Sequence, residues 1–215
     1  MILAIETATP ATTVALVREG EVLAHQTQLG ARRHAEVLMP AVSSVLRAAG
    51  TDMSHVETIA VGVGPGAFTG LRVGLATAQS LGQALGVPVF GVMTLDVMAF
   101  ESEIPEPFVV VTDARRKEVF WAEYANATTR LGEPMVNRPD DVAQRVLKRA
   151  VVGVGGTPFV ESFPRIRKPD LPSGAALARL VALRVAEGGE LLPPLPIYLR
   201  QPDVGPSARP KSVLT

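Results

Sequence analysis

The sequence predicts an α/β protein of two related lobes, with mixed sheets flanked by helices. Three observations lead to this prediction. Apolar residues make up 47% of the 215 residues, enough for a substantial core. Strand-like apolar runs alternate with segments of helical periodicity. Both halves also follow one plan: strands first, one of them in a hairpin, then a helix, a strand, a glycine turn and a helix.

The first half opens with three predicted strands. Residues 2–5 form an apolar run, and residues 11–17 and 21–28 form a hairpin around a glycine-containing turn. Helical periodicity follows over residues 33–49. This helix is apolar or small on two sides, which indicates burial on two sides, in its own core or against another chain.

A glycine-rich stretch, VGVGPGAFTGLRVG at residues 61–74, joins a predicted strand (58–63) to a predicted helix (71–85). Exposed amides and the positive end of a helix dipole suit such a turn to an anion or to a docking surface. The stretch is not a P-loop, since it lacks the closing Gly-Lys-Ser/Thr, and it is not a Rossmann fingerprint. A nucleotide site therefore needs support from elsewhere in the chain.

Small residues recur every four positions along this second helix and share one stripe: Gly70, Gly74, Ala78 and Gly82. Each interior glycine costs roughly 1 kcal/mol relative to alanine. Close approach of another backbone is a physical reason to tolerate that cost. The pattern leaves two interpretations open, packing on the protein's own sheet and a helix–helix interface with another subunit.

A break rich in proline and acids at residues 103–107 separates the predicted lobes, 1–104 and 105–200. Before the break we predict a strand (87–92) and a helix (94–101). After it we predict a hairpin (108–112 with 118–124), a short helix (139–149) and a strand (150–154). We predict a helix over residues 173–187 with Ser173 as its N-cap residue. Residues 201–215 form a proline-rich tail.

Composition excludes several classes of protein. Lys+Arg and Asp+Glu are both 21, so the net charge is zero, and a nucleic-acid role would run through a partner. The absence of cysteine excludes disulfides and thiolate metal sites, and fits the cytosol. The N-terminus has no basic region before its apolar run, and no run of about 20 apolar residues exists. We expect no signal peptide and no membrane span.

The chain lacks a convincing catalytic constellation. His25, His34 and His55 form no HExxH or HxxxH pair, and there is neither a cysteine nucleophile nor a GxSxG elbow. Glu6 and Thr7 either face a phosphate or cap a turn. The charged turn at residues 113–118 is either a solvated hairpin tip or a contact with a polyanion or partner. We therefore predict no catalytic residue and no metal ligand.

Five segments carry a resemblance to a known family: IETAT at 5–9, HAEVLMP at 34–40, GVGPGAFTGLRVG at 62–74, DARRKEVFWAEY at 113–124 and PIYLR at 196–200. By these motifs nearly the whole chain resembles the TsaB (YeaZ) family, non-catalytic paralogues of TsaD. The resemblance implies a shortened actin-like ATPase fold of the sugar-kinase/Hsp70/actin superfamily. It also implies a cytoplasmic role in the biosynthesis of tRNA N6-threonylcarbamoyladenosine.

The resemblance implies a scaffold and activator rather than an enzyme. TsaD would be the heterodimer partner that transfers the threonylcarbamoyl group to the adenosine next to the anticodon, and TsaE would bind the pair. A homodimer is implied when TsaD is absent, and contact with tRNA would be indirect. ATP and a metal are expected on the partner subunits, with no cofactor in this chain. The TsaD metal-site histidines correspond to Thr94 and Met98, which cannot replace imidazole.

The resemblance also favours a subunit interface on the two helices. The predicted interface residues are His34, Leu38, Ala41, Val45, Gly70, Leu71, Gly74, Ala78 and Gly82. The alternative function is an ATP-binding, sugar-kinase-like phosphotransferase that contacts nucleotide through Glu6, Thr7, Gly155 and Gly156. A metallopeptidase is a third hypothesis, which the histidine spacing opposes.

Two questions stay open from the sequence. One is whether nucleotide binds at the junction with TsaD. The other is whether the side chains of Arg115, Arg116, Arg200, Arg209 or Lys211 contact tRNA.

Overall fold

The structure is a computed structural model that describes residues 1–30, 33–146 and 149–200. The first sheet contains β1 (Ile2–Glu6), β2 (Ala11–Arg18), β3 (Glu21–Leu29), β4 (Thr58–Gly62) and β5 (Val89–Val92), in the order β3-β2-β1-β4-β5. The second contains β6 (Phe108–Asp113), β7 (Val119–Asn126), β8 (Thr129–Asn137), β9 (Ala150–Val152) and β10 (Ile166–Arg167), in the order β8-β7-β6-β9-β10.

The two sheets share one topology. In each, the first three strands of the segment pair antiparallel as a meander. The fourth strand then pairs parallel with the first, and the fifth pairs parallel with the fourth. This repeated arrangement confirms the prediction of two related α/β lobes with mixed sheets, although no residue-level repeat marks it in the sequence.

The α-helices of the described chain are α1 (His34–Ala48), α2 (Phe68–Leu85), α3 (Thr94–Ser102), α4 (Pro139–Val146) and α5 (Gly174–Glu187). The apolar side chains of α1 and α2 pack on one face of the first sheet, and those of α5 pack on the other. The second sheet is covered by α3 on one face and by α4 on the other. Each sheet is therefore buried on both faces.

Two helices do not stay with the lobe that the sequence predicts. α3 lies within residues 1–104 but packs on the second sheet, where Leu95 and Met98 are fully buried. α5 lies within residues 105–200 but packs on the first sheet through Leu177 and Val181. The strands divide between the sheets at the predicted boundary, whereas the helices cross it. The prediction that each lobe is one continuous segment is wrong for these two helices.

Local signals predicted some element ends and missed others. Ser173 is the N-cap of α5, since its hydroxyl accepts a hydrogen bond from the Ala176 amide at 3.1 Å. α2 begins at Phe68, three residues before the predicted start, because Gly70 lies inside the helix instead of ending the turn. β8 and β10 were not predicted. β8 is an edge strand whose residues are mostly exposed or half-buried, and β10 has only two residues.

The first helix is buried on one face only. Its buried side chains are His34, Val37, Leu38, Ala41, Val42, Val45 and Leu46. Ala35, Ser44 and Ala48, which the sequence placed on buried sides, are exposed. The prediction of burial on two sides is therefore wrong within the single chain, and a small, weakly charged face of α1 is left open to solvent.

The segment after α5 is held in place by backbone hydrogen bonds. Leu192 and Gly91 exchange backbone hydrogen bonds of 2.8 and 3.0 Å, and the Ile197 amide donates to the Val63 carbonyl at 2.8 Å. We call residues 191–200 the strap. The predicted proline-rich tail over 201–215, with Arg209 and Lys211, lies outside the described residues.

Candidate functional site

The stripe of small residues on α2 faces the interior of the protein. Gly70, Gly74, Ala78 and Gly82 are all buried. The Thr7 hydroxyl donates a hydrogen bond of 2.8 Å to the Gly70 carbonyl, and a Cβ at Gly74 would overlap this same hydroxyl. A Cβ at Gly82 would overlap the Val89 side chain of β5. The backbone that approaches α2 closely is therefore the protein's own.

All nine residues predicted to form the subunit interface are buried within the single chain. His34 shows why: its Nδ1 lies 2.7 Å from the Thr12 hydroxyl, and burial lowers the pKa of its imidazole. Within the single chain these side chains pack on the first sheet, and their part in a subunit interface stays a prediction. Helical periodicity predicted which residues share a face but not what lies opposite that face.

The opposite faces of α1 and α2 are exposed and nearly uncharged. Along α2 the exposed residues are Thr69, Arg72, Ala76, Gln79, Ser80, Gln83 and Ala84. Along α1 they are Ala35, Glu36, Met39, Pro40, Ser43, Ser44, Arg47 and Ala48. Met39 is 43% exposed in the middle of this set. The two helices pack side by side, so these residues form one surface, which we call the α1–α2 outer surface.

Glu6 is fully buried at the carboxyl end of β1. Its carboxylate accepts hydrogen bonds from the Ala8 amide at 2.6 Å and from the Thr94 hydroxyl at 2.9 Å. Burial raises the pKa of Glu6 to about 7, and the two hydrogen bonds only partly offset that effect. The carboxyl group therefore faces the first turn of α3. Contact of Glu6 with a nucleotide stays a prediction.

The crevice between the carboxyl ends of β1 and β6 is narrow. It encloses about 10 Å³ and is lined by Ala8, Thr9, Thr112, Gly156 and Asp170, among others. Pockets for small molecules and cofactors usually enclose about 300–1,000 Å³. Thr7 is buried beneath α2, and the short helical turn Val154–Gly156 packs against the Asp170 backbone. Nucleotide contact by Thr7, Gly155 and Gly156 stays a prediction.

A larger cavity of about 180 Å³ lies between the glycine turn, the β6–β7 turn and the strap. On one wall Phe68 and Tyr198 stack at 5.2 Å, and the Arg72 guanidinium lies 3.7 Å from the Phe68 ring centre. On the other wall Arg200 donates to the Ala114 carbonyl at 3.1 Å and forms an ion pair with Glu118. Arg200 therefore anchors the strap to the second lobe.

The charged turn between β6 and β7 is exposed at its tip. Arg115, Arg116 and Lys117 all have left-handed backbone angles, with φ of 61°, 53° and 60°. Arg115 is paired with Asp113 at 3.2 Å. Burial, with a smaller contribution from the charge of Arg116, lowers the pKa of Arg200.

Metal binding and membrane insertion find no support in the part of the chain that the structure describes. Within residues 1–30, 33–146 and 149–200, no three His, Asp or Glu side chains come together in a way that could hold a metal ion. Thr94 hydrogen-bonds to Glu6, and Met98 is fully buried in the core of the second lobe. No helix in these ranges is long and apolar enough to cross a membrane.

Comparison with known proteins adds independent evidence. Residues 21–199 match the family model described as TsaD, tRNA N6-adenosine threonylcarbamoyltransferase. An uncharacterized protein of Mycobacterium tuberculosis is 41% identical over 209 residues, covering 96% of this chain and 95% of the relative. The tRNA threonylcarbamoyladenosine biosynthesis protein TsaB of Escherichia coli is 41% identical over 126 residues, covering 57% and 54% of the two chains.

Solved structures agree with these matches. YeaZ from Pseudomonas aeruginosa superposes with a TM-score of 0.77 at 32% identity, covering 92% of this chain and 99% of YeaZ. The activator of 2-hydroxyisocaproyl-CoA dehydratase from Clostridium difficile has a TM-score of 0.54 at 13% identity, covering 86% and 94%. The second likeness concerns the fold alone. It confirms the predicted actin-like ATPase architecture.

Proposed function

The chain belongs to the TsaD threonylcarbamoyltransferase family and, within it, to the TsaB (YeaZ) group, and from this premise we propose that it is a non-catalytic subunit that pairs with TsaD. The chain functions in the biosynthesis of tRNA N6-threonylcarbamoyladenosine. Its proposed part is to support TsaD, which carries out the transfer to the adenosine next to the anticodon. We place this activity in the cytoplasm, as the family resemblance implies.

One observation carries the proposal of a scaffold. Three residues at the predicted nucleotide and metal positions make internal contacts. The buried Thr94 hydroxyl donates to the Glu6 carboxylate, and the buried Thr7 hydroxyl donates to the Gly70 carbonyl. The interlobe crevice of about 10 Å³ supports the same proposal. We therefore assign ATP and the active-site metal to the partner subunits, and TsaE to the assembled pair.

The α1–α2 outer surface is the proposed contact with TsaD, or with a second copy of this chain when TsaD is absent. Arg72 is the charged residue among seven exposed positions on α2, which is unusual for a helix face in water. Small side chains such as Ala76, Ser80 and Ala84 let a partner helix come close. Contact with tRNA then occurs mainly through the assembled complex.

The substitution Ala76→Arg tests this contact. Ala76 is exposed in the isolated chain, so the fold should persist, whereas an arginine in the interface would bury an unpaired charge. We expect at least about 100-fold weaker pairing with TsaD by titration, equivalent to about 3 kcal/mol. The matched control is Ala186→Arg, an exposed alanine on α5. Equal pairing by both variants would reject the α1–α2 outer surface as the interface.

A transfer assay tests the scaffold role itself. Threonylcarbamoyl-adenylate and an unmodified tRNA transcript are supplied to TsaD, TsaE and ATP, with or without this chain. Modified tRNA is expected only when this chain and TsaD are both present, and none when this chain is alone. Transfer by the isolated chain would show that it is an enzyme and would end the scaffold proposal.

A further inference from the structure

The net charge of zero is the sum of two sequence halves that carry opposite charge. Residues 1–104 contain 5 Lys and Arg against 9 Asp and Glu, a net charge of −4. Residues 105–215 contain 16 Lys and Arg against 12 Asp and Glu, a net charge of +4. All four lysines lie in the second half. The basic excess lies in the half of the sequence that supplies every strand of the second sheet.

Three arginines of the second lobe converge on one groove. The groove encloses about 400 Å³ at the amino ends of β6 and β9. Arg145 comes from the last turn of α4, Arg149 precedes β9 and Arg165 precedes β10. Separate elements supply these side chains, so the fold rather than the local sequence brings them together. We call this feature the arginine groove.

The arginines are oriented by contacts inside the lobe. Arg149 donates to the Glu123 carboxylate at 2.6 Å, and the guanidinium carbon of Arg145 lies 5.3 Å from the centre of the Trp121 ring. A guanidinium carries five N–H donors, so a single contact of this kind fixes its direction and leaves others for a ligand. Glu106 lines the groove beside the three arginines, and Glu123 pairs with Arg149.

The chemistry of the groove favours phosphate over a protein surface. Its uncharged lining consists of small side chains, Pro107, Val146 and Ala150. Protein interfaces depend on aromatic and large apolar anchors, whereas paired arginines match the geometry of phosphate oxygens. The groove also lies at the strand ends opposite the interlobe crevice, in the lobe that lacks α1 and α2. It would stay accessible with a partner on the α1–α2 outer surface.

We propose that the arginine groove binds the phosphate backbone of the tRNA substrate. This inference rests on the proposed function, because it needs a tRNA held by the complex. A folded tRNA presents phosphates along its helical arms, and a guanidinium can contact their oxygens through two N–H donors. The groove would add affinity without reading sequence.

The test measures tRNA affinity of the complex with TsaD as a function of salt. An unmodified tRNA transcript is titrated against complexes of the wild-type chain and of Arg145→Gln/Arg149→Gln/Arg165→Gln. Three lost phosphate contacts should reduce the slope of log affinity against log salt by about 2–3. Between 50 and 200 mM salt, the wild type should then lose about 20–40-fold more affinity than the variant.

Two further variants distinguish a loss of phosphate contacts from a change in folding. Glu106→Lys adds a positive charge at the rim of the groove, and should tighten binding and steepen the slope by about 1. Arg18→Gln/Arg179→Gln removes two exposed arginines from elsewhere on the chain and should leave the slope unchanged. An unchanged slope in the triple variant and in Glu106→Lys would overturn the inference.

The outcomes separate this inference from the proposed function. A triple variant that pairs normally with TsaD but loses the salt-dependent affinity supports the groove. A triple variant whose tRNA affinity keeps the wild-type salt slope but that no longer pairs with TsaD would show that the groove contacts protein. That result overturns the RNA inference. Failure of the wild-type chain to pair with TsaD at all would instead count against the proposed function.

Discussion

The carboxyl group of Glu6 couples the stability of the protein to pH. Its pKa is about 7 in the folded protein because the side chain is fully buried, against 4.5 for an exposed glutamate. Between these values the folded state keeps a proton that the unfolded state has lost. The resulting stabilisation is complete below pH 4.5 and is lost as the pH rises through 7. A difference of about 2.5 units corresponds to about 3 kcal/mol.

Glu6→Gln should remove this pH dependence. Glutamine keeps the size of the side chain and stays uncharged. The stability of the variant relative to wild type should therefore rise by about 3 kcal/mol between pH 4.5 and pH 8. Urea denaturation at several pH values measures it, with the exposed Glu106→Gln as control. Parallel stability curves for wild type and Glu6→Gln would contradict the argument.

At the scale of the element, α2 shows how one pattern admits two explanations. A stripe of small residues fits a subunit interface and fits the protein's own sheet equally well. Within the single chain Thr7 favours the second explanation, because its hydroxyl lies where a side chain at Gly74 would have to go. A bulky residue at Gly74 or Gly82 therefore threatens the fold before it can affect pairing.

Gly74→Ala should destabilise the protein although alanine favours helices. The methyl group would overlap the Thr7 hydroxyl that holds the Gly70 carbonyl. Overpacking of this kind costs about 1–3 kcal/mol, more than the roughly 1 kcal/mol gained in helix propensity. Thermal or urea unfolding measures the difference. Ser80→Ala, on the exposed face of the same helix, should change stability by less than about 0.5 kcal/mol. A stabilised Gly74→Ala variant would show that α2 is not packed as described.

At the scale of the whole molecule, two helices hold the lobes together. α3 comes from the first half of the sequence and packs on the second sheet, whereas α5 comes from the second half and packs on the first. Asp96 on α3 accepts hydrogen bonds from Tyr124 at 2.8 Å and Arg130 at 3.0 Å, both in the second lobe. It also accepts one from Arg184 on α5, at 3.0 Å. α3 and α5 thus link both sheets through one carboxylate, and the strap links them again through Arg200.

We expect the two lobes to unfold in a single transition. Trp121 is the one tryptophan of the sequence and lies buried in the second sheet, so its fluorescence reports on the second lobe. Far-ultraviolet circular dichroism reports on both lobes, and the two probes should give coincident curves. Gly74→Ala in the first lobe should shift both midpoints together, and Val151→Ala in the second should do the same. If Gly74→Ala leaves the fluorescence midpoint unchanged, the lobes unfold separately.

Much of the fold was accessible from local patterns. Short apolar runs predicted most strands, and Ser173 marked the start of α5 because capping is a local hydrogen bond. The five motif segments predicted the family, which the comparisons confirm. Of the candidate site, the sequence predicted that α1 and α2 are unusual helices. The sequence did not predict which face of each helix is exposed to solvent.

By itself, the sequence determined the α/β class, the repeated plan of the two halves and the family, because these depend on short-range periodicity and on motifs. The tertiary structure decided what lies opposite each face: Thr7 against Gly74, Thr94 against Glu6, α5 on the first sheet and three arginines in one groove. Residues far apart in the chain make these contacts. Periodicity specifies which side chains share a face, whereas their neighbours are set only when the packed layers bury both faces of each sheet.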